Sequence, residues 1–177
     1  MATILAVNGI RPQFGKDYFI AINATITGDV ICGDNCSFWF NSVTRGDVHS
    51  IRIGNNVNIQ DGAIVHCTYK KHNVEIGNNV SIAHRAIVHG CKIHDNVLIG
   101  MGAIIMDGTI IESNSIIAAG AIVTQGTIVP AGSLFAGIPA KKIKDLDEDL
   151  IKNQILRISE SYPKYGSWYG DQCNLSE

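Results

Sequence analysis

The sequence predicts an all-β solenoid, a left-handed parallel β-helix of six-residue repeats with a C-terminal α-helix. Three observations carry that prediction: an apolar period of six, corners rich in glycine and asparagine, and a change after residue 137 to charged sequence with apolar stripes at helical spacing. Ile93, Ile99, Ile105, Ile111, Ile117, Val123, Val129 and Phe135 recur at unbroken six-residue steps. Four positions after each of the first seven stand Val97, Ala103, Thr109, Ser115, Ala121, Thr127 and Ser133, all small or β-branched. An amphipathic helix repeats near 3.6 residues and a simple strand near 2, so neither explains a strict six. A sandwich with strands every 8–12 residues would lose the phase within a few steps. Short strands joined by tight corners keep it, three strands making one triangular coil of about 18 residues, stacked at about 4.8 Å.

Along the chain, the pattern starts weakly at Ile20, Ile26, Cys32 and Phe38. It continues as Ile53, Ile59, Val65 and, after a break, as Ile76, Ile82, Val88. The break is explained if Cys67–Asn73 is a loop pushed out of one corner, and Gly46–Arg52 is expected to bulge in the same way. Gly54-Asn55-Asn56 and Gly77-Asn78-Asn79 supply residues that tolerate the positive φ of such corners. These elements place the β-helix domain at 1–137. Residues 138–177 are expected to form a C-terminal helix and tail packed on the prism. The period ends at Gly137-Ile138-Pro139-Ala140. Asp147-Glu148-Asp149 then suits a helix N-terminus, Ile143, Leu146, Leu150, Ile151, Ile155 and Ile158 make the apolar stripe, and Pro163 is expected to stop the helix. That helix is expected to run antiparallel along one face. The aromatic residues Tyr162, Tyr165, Trp168 and Tyr169 are expected to dock on the prism or at a subunit boundary.

Composition narrows the function classes. A formal charge of −2, with 17% charged residues, offers no basic surplus for nucleic acid or an anionic membrane. No apolar run approaches the roughly 18 residues of a membrane span, and Met1–Gly9 lacks a secretory signal's basic start. A cytoplasmic protein acting on a small molecule is the expectation. Cys32, Cys36, Cys67, Cys91 and Cys173 form an odd set without CxxC pairs, which predicts reduced, packed thiols rather than a disulfide framework. Cys67 and Cys91 adjoin histidines of interest, which leaves them a minor part in a site.

The registers gather histidines. With the loop excised, Val65 and Val88 lie on one face a coil apart, so His66 and His89, which follow them directly, project side by side within reach of a shared metal. Ile82 lies on a different face, so His84 is expected to meet such a pair only from a neighbouring prism, around a threefold axis with three interfacial sites. Three nitrogens with a fourth position open to water describe a catalytic zinc. Stacking Ile59 under Ile82 places Asp61 one coil below His84, and stacking Thr44 under Val65 places Arg45 below His66. Asp61 could orient a ligand histidine or pair across the boundary with Arg45, and Asp47 likewise, although a structural ion pair fixing trimer register explains these residues as well. Gln60, after Ile59, is expected to face the same cleft.

Arg45-Gly46-Asp47, Asn58-Ile59-Gln60-Asp61-Gly62, His66 and Ala83-His84-Arg85-Ala86-Ile87-Val88-His89-Gly90 together resemble the γ-class carbonic anhydrases of the hexapeptide-repeat superfamily. The similarity runs from about Gly9 into the C-terminal helix and continues through Gly100-Met101-Gly102. The resemblance implies a homotrimeric lyase, dependent on Zn2+ with Fe2+ or Co2+ as alternatives, that hydrates CO2 reversibly to bicarbonate. It implies that His66 and His89 ligate from one subunit and His84 from the next, that Arg45, Asp47 and Asp61 support assembly and site, and that Gln60 contacts the bound water. The implied chemistry is a metal that lowers the pKa of water from 15.7 towards about 7, followed by attack of hydroxide on CO2. Tyr162 is similar to a tyrosine that shorter members bring near the metal. Two departures stand out: Val48 replaces a glutamate, and the loop Cys67–Asn73 is too short for an acidic proton-shuttle segment. Slow proton release is implied, with His49 or His72 as substitutes.

Two rival readings are kept. Ala136-Gly137-Ile138-Pro139-Ala140-Lys141 resembles the closing segment of hexapeptide acyltransferases, which use acetyl-CoA. They need one catalytic histidine, against three in ligand register here. A non-catalytic trimeric metal-binding or assembly protein of the same fold is the other.

Overall fold

The computed structural model describes residues 1–170. It is a parallel β-solenoid of about seven turns, a left-handed β-helix closed by a C-terminal helix. Three columns of large side chains fill the prism, and each follows the six-residue period. On one face Thr44, Val65, Val88, Ile105 and Val123 stack in parallel register. On the second the column is Ile53, Ile76, Ile93, Ile111 and Val129. On the third it is Ile20, Phe38, Ile59, Ile82, Ile99, Ile117 and Phe135. All of these side chains are buried. Successive residues of a strand point to opposite sides, so the first face also carries an outward column: Val43, Ile64, Ile87, Ile104 and Ile122.

The corners show why asparagine recurs. Asn56, Asn79, Asn96 and Asn114 all adopt left-handed φ between +54° and +59°, a conformation that asparagine tolerates better than most residues. Their carboxamides form a ladder up one edge: Asn56 Nδ2 donates to Asn79 Oδ1 at 3.1 Å, Asn79 to Asn96 at 2.9 Å and Asn96 to Asn114 at 3.0 Å. The loop Cys67–Asn73 leaves the prism between the strands Ile64–His66 and Val74–Ile76, as the phase break requires. Gly46–Arg52 forms no detached loop; it turns a corner inside the continuous strand Val43–Ile53, and the register against Thr25–Cys32 shifts there, between Gly28 and Val30.

Three expectations for the C-terminal segment are corrected. Ala140–Asp145, with Ile143, is a strand and not the start of a helix: it folds back antiparallel on Ser133–Gly137. That pairing satisfies backbone groups of the last coil, and the exposed Lys141, Lys142 and Lys144 discourage further strands from adding there. Leu146 is likewise outside the helix, which begins at Glu148 with Asp147 as its N-cap, Oδ1 accepting from Leu150 N at 2.8 Å. Pro163 does not end the helix, which passes from a π-helical stretch, Ile151–Leu156, into an α-helix, Arg157–Ser167. An interior proline costs about 3 kcal/mol, and aromatic packing offsets it. Tyr162 meets Trp39 edge-on at 5.2 Å, Phe19 lies 4.7 Å from Trp39, and Gly166 sits so close to Phe19 that a Cβ there would stand 3.0 Å from its ring.

The helix runs antiparallel to the coils as expected, from Val97–Ile99 near its start to Ser37–Phe38 and Phe19–Ile20 near its end, so it covers the third face. Among the described residues no helix is long and apolar enough to cross a membrane. Cys173, within the expected tail, lies outside the described residues.

Candidate metal centre

The strands Ile64–His66 and Ile87–His89 are register partners, His89 directly above His66. Their rings stand 5.1 Å apart, with His66 Nδ1 and His89 Nε2 facing each other at 3.2 Å. Two nitrogens bound at about 2.05 Å to one tetrahedral ion stand about 3.3 Å apart, so this donor pair suits a shared metal with little rearrangement. Burial pushes the His66 imidazole below its ordinary pKa, against the hydrogen bond it donates to Asp47, which raises it. The lowered value favours the neutral ring that metals bind.

Behind each ring stands an aspartate. His66 Nε2 lies 3.1 Å from Asp47 Oδ1, and Asp47 also pairs with Arg45, the register partner of His66. Burial alone would raise the Asp47 carboxyl; hydrogen bonds from Arg45 and His66 outweigh it and hold it below the usual carboxylate range. His84 Nδ1 lies 2.9 Å from Asp61 Oδ2, where stacking of Ile59 on Ile82 puts it. His89 Nδ1 lies 2.6 Å from Asp107 Oδ1. Such carboxylates fix the tautomer and orientation of a ligand imidazole.

His84 does not join the other two within the chain. It sits at the corner between the third and first faces, where Ala86 N bonds back to Ala83 O at 3.1 Å and Arg85 takes φ +58°. The coils below and above place Gly62 and Gly102 in this left-handed position, so an arginine here carries about 1–2 kcal/mol of backbone strain. Among the described residues no three His, Cys, Asp or Glu side chains of one chain gather closely enough to hold a metal.

His84 instead opens onto a cleft of about 400 Å³ between the third face and the C-terminal helix, which it lines with Gln60, Met101, Arg157 and Tyr162. Gln60 is 3% exposed, its Nε2 donating to Asn58 Oδ1 at 2.8 Å. Burial, aided by Asp61, pushes the Tyr162 phenol well above its ordinary pKa, so it remains a donor. The structure thus gathers Gln60, Asp61, His84 and Tyr162 at one corner, and Arg45, Asp47, His66 and His89 on the face beside it. Neither Arg45 nor Asp61 finds the other within the chain.

His49 lines a separate cleft of about 550 Å³ with Asp47 and Lys70, its Nδ1 accepting from Ser50 N at 2.8 Å; His72 packs over Gly90. Cys67 and Cys91 point into the core. Burial pushes the Cys67 thiol up to about 11 and raises Cys91 further, so neither offers a thiolate. Sequence reasoning missed Asp107. The signal was present, because one coil is about 18 residues and Asp107 lies 18 positions after His89.

Residues 90–125 match the family described as bacterial transferase hexapeptide (six repeats). A protein named carbonic anhydrase from Geobacillus kaustophilus is 43% identical over 166 residues, covering 94% of this chain and 90% of its own. Gamma carbonic anhydrase 2 of Arabidopsis thaliana, a mitochondrial protein, is 38% identical over 168 residues, 92% of this chain and 59% of its own. The crystal structure of a hexapeptide transferase family protein from Anaplasma phagocytophilum superposes with a TM-score of 0.89 at 38% identity, covering 94% of this chain and 98% of that one.

Proposed function

The chain belongs to the γ-class carbonic anhydrase-like proteins of the hexapeptide-repeat superfamily, and from that membership we propose that it is a homotrimeric, zinc-dependent enzyme that converts CO2 and water to bicarbonate and a proton. Each metal is held by His66 and His89 of one subunit and the partner subunit's His84. The observation that carries the proposal is the register pair with facing nitrogens at 3.2 Å, together with a third histidine, backed like the others by an aspartate, that points away on the adjoining corner. The outward column of Val43, Ile64, Ile87, Ile104 and Ile122 supports it. An apolar stripe beside His66 and His89 is a surface that a second copy would cover, and a heterologous contact that closes at three brings one subunit's corner to the next one's face.

When bound, the metal supplies a Lewis acid that makes water a nucleophile near neutral pH. The chain's own residues do the remaining work. Asp47, Asp61 and Asp107 hold the three rings with the far nitrogen occupied, so one nitrogen of each is free to ligate. Gln60, with one amide hydrogen committed to Asn58, presents the rest of its carboxamide to the cleft, where it orients the attacking oxygen. The Tyr162 phenol, kept protonated, offers a hydrogen-bond donor at the same wall. Arg45 fixes Asp47 against His66 and so ties the ion pair to the site. Val48 carries no ionisable group, so His49 or His72 is left to take up the product proton, and slow turnover is expected.

Metal analysis of anaerobically purified protein, followed by stopped-flow CO2 hydration with and without the metal, tests the reading. Stoichiometric metal and metal-dependent hydration are expected. A monomer, or acetyl transfer from acetyl-CoA that ignores a chelator, would overturn it.

A further inference from the structure

Asp107 has a more elaborate setting than a surface carboxylate needs. Its Oδ1 meets His89 Nδ1 at 2.6 Å, and its Oδ2 accepts from Thr68 Oγ1 at 2.6 Å, so both oxygens are engaged, one by a histidine and one by the loop Cys67–Asn73. Gly90, the residue after His89, makes room for it: a Cβ there would stand 2.3 Å from Asp107 Oδ1, and φ is +52°. The loop hydroxyl and the glycine thus both serve the carboxylate, which alone meets the ring nitrogen.

We infer that Asp107 is a positioning residue that fixes the orientation of His89, turning Nε2 towards His66, and that Thr68 acts as the clamp holding Asp107 in place. The inference rests on the metal reading above. The loop, too short to carry an acidic shuttle, then has a different use: it delivers the hydroxyl that immobilises the carboxylate behind the ligand. A charged acceptor on Nδ1 also makes Nε2 a more basic ligand.

The test is zinc affinity of the full chain, measured by competition with a chromophoric chelator. Asp107→Asn, which keeps the shape but not the charge, is expected to weaken zinc binding by about 10–100-fold. Thr68→Val, which keeps the acceptor but frees it, is expected to weaken binding by a smaller factor, and the metal-free proteins should melt close to the parent. The visible spectrum of the Co2+ form should shift in both. In a His89→Ala background Asp107→Asn should cause no further loss, because the ring it orients is gone. Parent-like affinity in Asp107→Asn, or the same additional loss without His89, would overturn the positioning role alone. A parent protein that binds no zinc would overturn the metal reading and this role together.

Discussion

Mixing two inactive variants tests the proposed division of the site between subunits. His84→Ala removes a side chain that is 45% exposed and whose contact with Asp61, itself 42% exposed, is an open ion pair. Such pairs contribute less than about 1 kcal/mol, so the melting temperature should fall by no more than roughly 4 °C. Metal affinity should suffer far more. Losing a carboxylate behind a ligand costs about 10–100-fold, so losing the ligand itself should exceed roughly 100-fold. His66→Ala breaks the same site from its other side. When the two variants are unfolded, mixed in equal amounts and refolded, each interface has an intact His66/His89 face with probability one half and an intact His84 corner with probability one half. About one quarter of the interfaces in random trimers are therefore complete. Zinc per subunit and CO2 hydration should both return to about a quarter of the parent, while each variant refolded alone stays empty. Retention of stoichiometric zinc by His84→Ala, or no recovery on mixing, would refute the shared site.

Three further outcomes concern the scaffold. Ile99→Ala empties a position buried between Ile82 and Ile117 and should cost about 2–5 kcal/mol in chemical denaturation. A loss below 1 kcal/mol would mean that the column does not carry the core. Asn79, at φ +54° with carboxamides bonded above and below, should lose about 1–2 kcal/mol as Asn79→Ala and less as Asn79→Gly, the order of the two melting temperatures being the check. Glu75 is held below the usual carboxylate range by hydrogen bonds from Asn73 and Lys92. Its contribution is therefore present above the ordinary glutamate pKa and lost as pH falls through the lower folded value. Glu75→Gln should be a few tenths of a kcal/mol less stable at pH 7, because the pair is half-exposed, and the gap from the parent should close in paired thermal melts as pH falls below the ordinary glutamate range.

Register was legible in the sequence wherever side-chain size had to repeat. Six-residue steps from Ile93 to Phe135 allow one inward arrangement only, and excising Cys67–Asn73 restores the phase, so the pairing of His66 with His89 and of Asp61 with His84 could be counted out. The segment after Gly137 was not legible by the same means. Lys141, Lys142 and Lys144 occupy an edge strand open to water on its outer side, so no inward period betrays it, and charge was read as helix. Pro163 was misjudged because local propensity was weighed without Phe19 and Trp39, residues more than a hundred positions away that hold the helix in place. Thr68 had no signal at all. Its partner lies 39 positions on, and loops keep no register from which such a contact could be counted.

The same geometry explains why a site can be built here without weakening the fold. Each coil touches only its neighbours, so inward columns carry stability while outward positions are free to carry chemistry. The pairs of Asp47 with His66, Asp61 with His84 and Asp107 with His89 are each made between adjacent coils, where strand spacing brings the side chains within reach. Inward residues beside them, Thr44, Val65, Val88 and Ile82, are fully buried and belong to the columns. Substituting a histidine or its aspartate therefore leaves the columns intact, whereas substituting a column residue removes packing that holds the registers. The expectation that metal binding and melting temperature respond to different sets of residues follows directly. A variant such as Val88→Ala should disturb both, because it loosens the strand that aligns His89 with His66.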